Sequence, residues 1–405
     1  MLSSQEKLLV LVGKNGSGKT YTLDKILRNE ENAIMITGDG VPVNNRFKNE
    51  VKIDNKFDKY IYADEQERGS DKSTTVELIS PDIKPVLKYA EEIQNRIGKF
   101  PRLSKGQEKL NNIVTTILSY NLNNIQFILL DEPDTYLDEE YMKVLKKIIN
   151  MLVKANVKIR LSTHNPRMIK ILDIDISYVF LIYNKRYIRL SFEDIRMNYK
   201  RICEDIQTIR KENKLNMTSG IDFKLGLSEN EDLLKCFIYQ NITDEEFYKA
   251  LFCSNIFIIE GESDRVALSY IKDEFDTSVS LFSAGGKAFI PFFAWIFNHF
   301  KKDVTVIIDE DEETNKNAYE ITLYLEKLNE TDNIKLIKHI PDLEKHYGLD
   351  SELIAQRINM SGKVKQKNKG WLKYISSYIF FKEEDNSDKL KNHVLGENAQ
   401  EFEFN

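Results

Sequence analysis

Residues Gly13 to Thr20 read GKNGSGKT, a G-x-x-x-x-G-K-T pattern, and no other stretch restricts the fold as much. Ahead of it, Leu8-Leu9-Val10-Leu11-Val12 is apolar throughout and has the length of a buried strand. Behind it, Tyr21 to Arg28 has helical composition, with Leu23, Ile26 and Leu27 on one face. Strand, glycine turn and helix are the context this pattern needs. Gly13, Gly16 and Gly18, with Asn15 among them, let the backbone curl and point its N–H groups inward. The helix N-terminus adds a partial positive charge. Such a loop suits a nucleotide. Lys19 reaches the β- and γ-phosphates, and the Thr20 hydroxyl holds Mg²⁺, so the expected ligands are ATP and Mg²⁺.

A chain of 405 residues suggests two or three domains. The apolar fraction of 41% is enough for real cores. The net charge is −6, so binding to nucleic acid would need a local basic patch. The three cysteines, Cys203, Cys236 and Cys253, form no C-x-x-C pair; neither a zinc site nor a disulfide framework is expected, and a reducing compartment fits. The polar opening MLSSQEK is unlike a secretory signal, and the longest apolar run, Phe289 to Phe297, is too short to span a bilayer. A soluble cytoplasmic protein with no membrane contact is expected.

Ala33 to Thr37 reads as a second strand. Residues 38 to 80 are polar and read as an insertion or arm, and Pro81 to Ile97 as a helix. Leu103-Ser104-Lys105-Gly106-Gln107 precedes a helix running through Ser119. Phe127 to Leu130 is an apolar strand ending in Asp131-Glu132-Pro133, with Tyr136-Leu137-Asp138 after it. Val157 to Leu161 is another strand, closed by Ser162-Thr163-His164. In this order the motifs resemble the ATPase head shared by ABC, SMC and RecF-like proteins, over residues 8 to about 182. LSKGQ is similar to the LSGGQ signature, with Lys105 in place of a glycine, and no clear Q-loop is present. The resemblance implies that Asp131 holds Mg²⁺ through water, that Glu132 orients the attacking water and that His164 touches the γ-phosphate. It also implies that Ser104 and Gly106 of one protomer complete the nucleotide site of another, so a homodimer or higher homo-oligomer is expected.

Residues 183 to 250 read as a connector. Tyr187 to Leu190 is strand-like, and the helix Glu193 to Lys214 carries a stripe of Ile195, Ile202, Ile206 and Ile209. A helical linker and a dimerisation element are both open readings of it.

In Asn255 to Asp264, NIFIIEGESD, Glu260 ends a strand, Gly261 permits a tight turn and Ser263 can cap the helix that follows. Val279 to Phe282 is a strand leading to Ser283-Ala284-Gly285-Gly286-Lys287, and Val304 to Ile308 is a strand ending in Asp309-Glu310-Asp311. Strands alternating with helices imply a parallel sheet, whose sites lie at the strand C-termini. Glu260, Asp264, Asp309 and Asp311 are hard oxygen ligands, and clustered carboxylates need a cation; Mg²⁺ suits them, as does Mn²⁺. A strand-end E-G followed by a strand-end D-x-D resembles a Toprim domain. An ABC head joined to a C-terminal Toprim resembles the OLD (overcoming lysogenization defect) nucleases. That resemblance implies cleavage of nucleic acid, DNA ahead of RNA, a role in anti-phage defence and, in some members, a helicase-like or other defence-system partner.

The chain end carries Lys363, Lys365, Lys367, Lys369 and Lys373 around Trp371. Lys369 is the candidate cation for the developing phosphorane charge, with Lys365 and Lys367 close behind. The expected fold is α/β: an ATPase domain at 1–182 with an insertion and helix at 38–100, a connector at 183–250, a Toprim domain at 251–385 and a polar tail at 386–405. The expected function is an ATP-hydrolysing, Mg²⁺-dependent endonuclease. The rivals are an ATPase sensor or scaffold whose Toprim domain holds nucleic acid or a partner without cutting, and a RecF-like repair ATPase.

Overall fold

Strands buried on both faces must be apolar where they are buried, and the runs LLVLV, FILL and VFLI meet that demand. In the computed structural model they lie in a seven-stranded sheet. Residues 6–44, 80–215, 226–242, 244–275, 279–312, 318–331, 334–360, 362 and 369–396 are described. The chain divides into two units, Met1–Leu190 and Ser191–Asn405.

The strands of the first unit are β1 (Leu8–Val12), β2 (Ala33–Ile36), β3 (Pro42–Asn44), β4 (Phe127–Asp131), β5 (Lys158–Thr163), β6 (Val179–Tyr183) and β7 (Arg186–Ile188). Their order is β3-β2-β4-β5-β1-β6-β7, parallel except for the antiparallel edges β3 and β7. Val12 pairs with Thr163, and Asp131 with Ser162, so β1, β4 and β5 end level. The helices are α1 (Lys19–Asn29), α2 (Lys84–Ile97), α3 (Lys105–Ser119), α4 (Glu139–Lys154) and α5 (Pro166–Leu172). Beyond residue 44 most of the expected arm lies outside the described residues.

The expected connector differs from what is observed. The strand read at 187–190 is β7, which pairs with β6 inside the first sheet. Helix α6 (Phe192–Glu212) belongs to the second unit. Its Ile195, Ile202 and Ile206 are buried, the Tyr199 ring packs 5.0 Å from that of Phe292, and Arg210 pairs with the buried Glu320 at 2.9 Å. The apolar stripe is therefore covered by this unit's own core. Next come α7 (Glu231–Ile242) and α8 (Glu245–Phe252).

The second sheet contains β8 (Asn255–Ile259), β9 (Val279–Ser283), β10 (Asp303–Asp309) and β11 (Ile334–His339), all parallel, in the order β11-β10-β8-β9. Around it lie α9 (Glu262–Ser269), α10 (Ile290–His299), α11 (Tyr319–Thr331), α12 (Leu343–Tyr347), α13 (Ser351–Arg357), α14 (Lys369–Phe381) and α15 (Glu384–Leu395). Phe292, Phe293 and Phe297 of α10 are buried. Residues 384–395, which overlap the expected polar tail, form a helix that buries Leu390 and Val394 against the sheet's core. Among the described residues no helix is long and apolar enough to cross a membrane.

Candidate functional sites

The loop after β1 turns through left-handed backbone at Gly16 (φ 77°) and Gly18 (φ 104°). A Cβ on Gly13 would meet the Ile182 carbonyl at 2.8 Å, so strand β6 admits only glycine there. The Lys19 ammonium is buried. It donates to the Gly13 carbonyl (2.9 Å) and the Lys14 carbonyl (3.1 Å) and lies 3.3 Å from Glu132 Oε1. Thr20 Oγ1 donates to Asp131 Oδ2 at 2.8 Å, and the Ser162 hydroxyl donates to Asp131 Oδ1. The two residues expected to hold Mg²⁺ beside the nucleotide thus already touch.

Glu132 sits in left-handed backbone (φ 45°), which is costly for a side chain with a Cβ. Three bonds hold it there. Its N–H donates to the Ser162 carbonyl and hydroxyl, and its carbonyl accepts from Lys109 Nζ of α3. His164 Nδ1 stands 3.0 Å from Glu132 Oε1. Burial pushes the Glu132 carboxyl up, but the hydrogen bond and charge of His164, then Lys19, outweigh it and hold the group below its ordinary value. An ionised carboxylate at a strand end is what orienting a water requires. Asp134 is buried, accepts from the Thr163 hydroxyl at 3.0 Å and is pushed up by that burial. Lys109 has no pattern of its own in the sequence; it emerges only from the packing of α3.

Ser104 caps α3 reciprocally with Gln107 and remains exposed. A Cβ on Gly106 would come within 2.5 Å of the Tyr136 carbonyl oxygen, so the segment after β4 presses directly on this helix. Lys105, the departure from the LSGGQ pattern, lies 5.2 Å from the centre of the exposed Tyr136 ring.

In the second unit, Ile259 pairs with Ile307 and Asp309 with His339, so Glu260 and Asp309 end neighbouring strands. Asp264, one turn into α9, is buried and accepts from the Gly261 N–H at 3.1 Å. Asp309 Oδ1 accepts from the Leu343 N–H at 2.9 Å. Asp311 is buried in left-handed backbone (φ 66°). The structure brings these four carboxylates together, and it adds three cations or potential cations.

The first is Lys287. Gly285 (φ 72°) and Gly286 (φ 131°) turn the segment after β9 back under the sheet edge. There the buried ammonium donates to Asp311 Oδ2 at 2.6 Å and to the Asp309 carbonyl. The signal was present as G-G-K at a strand end, but it carried no assigned role. The second is His339, buried 3.6 Å from Asp309 Oδ1 and 4.0 Å from Asp264 Oδ1. The third is Lys373, 3.1 Å from Glu344. Burial pulls the Lys373 ammonium down, but Glu344, Asp309 and Asp342 outweigh it and hold it above the ordinary lysine value. Among the described residues, Lys373 is the lysine of the C-terminal cluster that lies at the acidic edge. Lys365 and Lys367 lie outside the described residues, as does the side chain of Lys369.

Burial, reinforced by Asp309, Asp264 and Asp311 against Lys287, pushes Glu260 up to about 7. Burial pushes Asp264 up to about 6, with Asp309 adding to it and His339 opposing. Glu260 Oε2 is buried with no hydrogen-bond partner among the described residues. An oxygen donor left unpaired beside three crowded carboxylates fits a hard divalent cation. No three His, Cys, Asp or Glu side chains among the described residues already converge on one metal position; the Lys287 ammonium lies among the acids instead.

A folded-state carboxyl raised above its unfolded value means that folding takes up protons. Stability is then fully present below about pH 4 and is lost as pH rises through 6 to 7, where Asp264 and Glu260 ionise. Adding Mg²⁺ should therefore raise the melting temperature more at pH 8 than at pH 5.5, and Glu260→Gln should shrink that difference. A larger Mg²⁺ shift at pH 5.5, followed by differential scanning fluorimetry, would rule out cation binding at this edge.

Comparison with known proteins finds one family model within each unit. The model of the ABC transporter family matches residues 2–135, from β1 through the Asp131-Glu132 strand end. The model described as "Overcoming lysogenization defect protein-like, TOPRIM domain" matches residues 251–311, which hold all four carboxylates. No curated protein matches the chain. Among solved structures, a metal-chelate type ABC transporter in an inward-facing conformation is 16% identical over 47% of this chain and 74% of its own, at a TM-score of 0.28 that carries no argument. The chain is an ABC-type ATPase head fused to a C-terminal OLD-like Toprim domain.

Proposed function

We propose that this protein is an ATP-hydrolysing, Mg²⁺-dependent endonuclease of the OLD type. The observation that supports this best is Glu260 at a strand end with Oε2 unpartnered and Asp264, Asp309 and Asp311 near enough to raise it. A divalent cation held there would activate water and stabilise a leaving oxygen. Of the chain's own groups, Asp309 and Asp264 are pre-oriented by the Leu343 and Gly261 N–H groups. Lys373 supplies further positive charge beside them, in addition to the Lys287 ammonium among the acids. Nucleic acid, DNA ahead of RNA, is the substrate of this reading. Its setting is anti-phage defence in the cytoplasm, with a helicase-like or other defence-system protein as an eventual partner. Incubating the protein with plasmid, linear DNA and RNA, with and without Mg²⁺ and ATP, tests it; no cleavage of any of them under any condition would sink it.

In the same reading the working species is at least a dimer. Ser104 is exposed at the N-terminus of α3, where its hydroxyl and the helix N–H groups can face a neighbour's γ-phosphate. Light scattering should show a mass of two chains or more with ATP and Mg²⁺. A strict monomer that still hydrolyses ATP would refute this.

One observation favours a scaffold reading, in which the Toprim domain binds without cutting. The Lys287 ammonium already sits among the acids and supplies positive charge that the cation would otherwise provide. If the scaffold reading holds, the Toprim domain binds nucleic acid or a protein while Mg²⁺ leaves its melting temperature unchanged.

A further inference from the structure

Helix α14 buries Leu372, Ser376, Ser377 and Phe381 and packs along α9, the helix that carries Asp264. Its opposite side is unusual. Trp371, Tyr374 and Tyr378, at spacings of three and four residues, form one stripe and are 65%, 40% and 52% exposed. Single exposed aromatics are ordinary, but three in a row on one helix are not. At 1.5 Å per residue the stripe is roughly 10 Å long.

The row is pre-set. Trp371 and Tyr374 meet edge to face, with ring centres 5.9 Å apart. At the far end Tyr270 packs 5.9 Å from Tyr378 and donates its hydroxyl to the Tyr378 carbonyl at 2.9 Å. Rings held in this way lose little further freedom on binding. The row also leads somewhere. Lys373, between Trp371 and Tyr374 in sequence, reaches Glu344 and feels the charge of Asp309. One helix therefore joins flat apolar faces to a cation at the acidic edge.

We propose that Trp371, Tyr374 and Tyr378 form a stacking platform for the unpaired bases of a single-stranded nucleic acid whose backbone continues to the acidic edge. The position of the platform takes its meaning from the nuclease reading, but base stacking itself does not depend on cleavage. Stacking on aromatic rings tolerates any base, since every base has a π-face. On the same helix Lys373, 3.1 Å from Glu344, is a cation at the acidic edge that suits a phosphate of the same strand.

The chain has two tryptophans, so Trp295→Phe leaves Trp371 as the sole reporter. That protein would be titrated, in EDTA and without ATP so that no bond is cut, with oligo-dT, oligo-U, an abasic oligomer of equal length and a blunt duplex. Trp371 fluorescence should be quenched saturably by oligo-dT and oligo-U, and weakly or not at all by the other two; the ratio of the first two separates DNA from RNA. By anisotropy, Trp371→Ala, Tyr374→Ala and Tyr378→Ala should each weaken oligo-dT binding about 10-fold, while Trp371→Phe restores most of it. Variants with an unchanged melting temperature exclude loss of fold. Equal quenching by the abasic oligomer, or full affinity in all three alanine variants, would overturn the proposal even if the protein cuts nucleic acid. No response to any oligomer would assign the face to a protein or lipid surface instead. Stacking without cleavage would leave this proposal standing and remove the nuclease reading.

Discussion

Asp309→Asn should abolish nucleic-acid cleavage and leave ATP hydrolysis at the wild-type rate. Asn keeps the shape and the oxygen that accepts the Leu343 N–H, so α12 should stay in place. What it loses is the negative charge at the point where β8 and β10 end side by side. Loss of a charged ligand should lower cleavage by at least about 100-fold, since even outer partners of a metal site are worth 10- to 100-fold. The melting temperature of Asp309→Asn should match the wild type, which separates loss of a charged ligand from loss of fold. The nucleotide loop belongs to the other unit. Plasmid nicking, ATP hydrolysis and a melting curve on one preparation decide the matter. Cleavage at the full rate in Asp309→Asn would transfer the case to the scaffold reading.

The second large effect is expected at Glu132. Glu132→Gln should retain nucleotide binding and lose about 10²- to 10⁴-fold in hydrolysis, the range for removing a group that handles the attacking water. Gln accepts the same left-handed backbone, and the Ser162 and Lys109 bonds to the main chain are untouched. The missing charge is the one that His164 and Lys19 now hold ionised. Lys19→Ala should fail one step earlier, at phosphate binding, because its ammonium lies within the loop itself. Wild-type hydrolysis by Glu132→Gln would show that another group orients the water.

The two sites were legible in the sequence to the extent that each rests on a strand and the turn directly after it. Gly13 to Thr20, Asp131-Glu132, Glu260-Gly261 and Asp309 to Asp311 are all of this kind. An apolar run followed by a turn fixes where the strand stops, and parallel sheets place their chemistry at that end. What the sequence alone determined is therefore the identity of the strand-end groups. Only the tertiary structure decided which strands are neighbours, since the order β11-β10-β8-β9 follows from packing and not from chain order. It decided that the isoleucine stripe of α6 is covered by its own unit, because a stripe does not specify what buries it. It also decided which cations attend the acids. Lys109, Lys287, His339 and Lys373 come from elements remote in sequence, and the electrostatic field of a carboxylate reaches them through space.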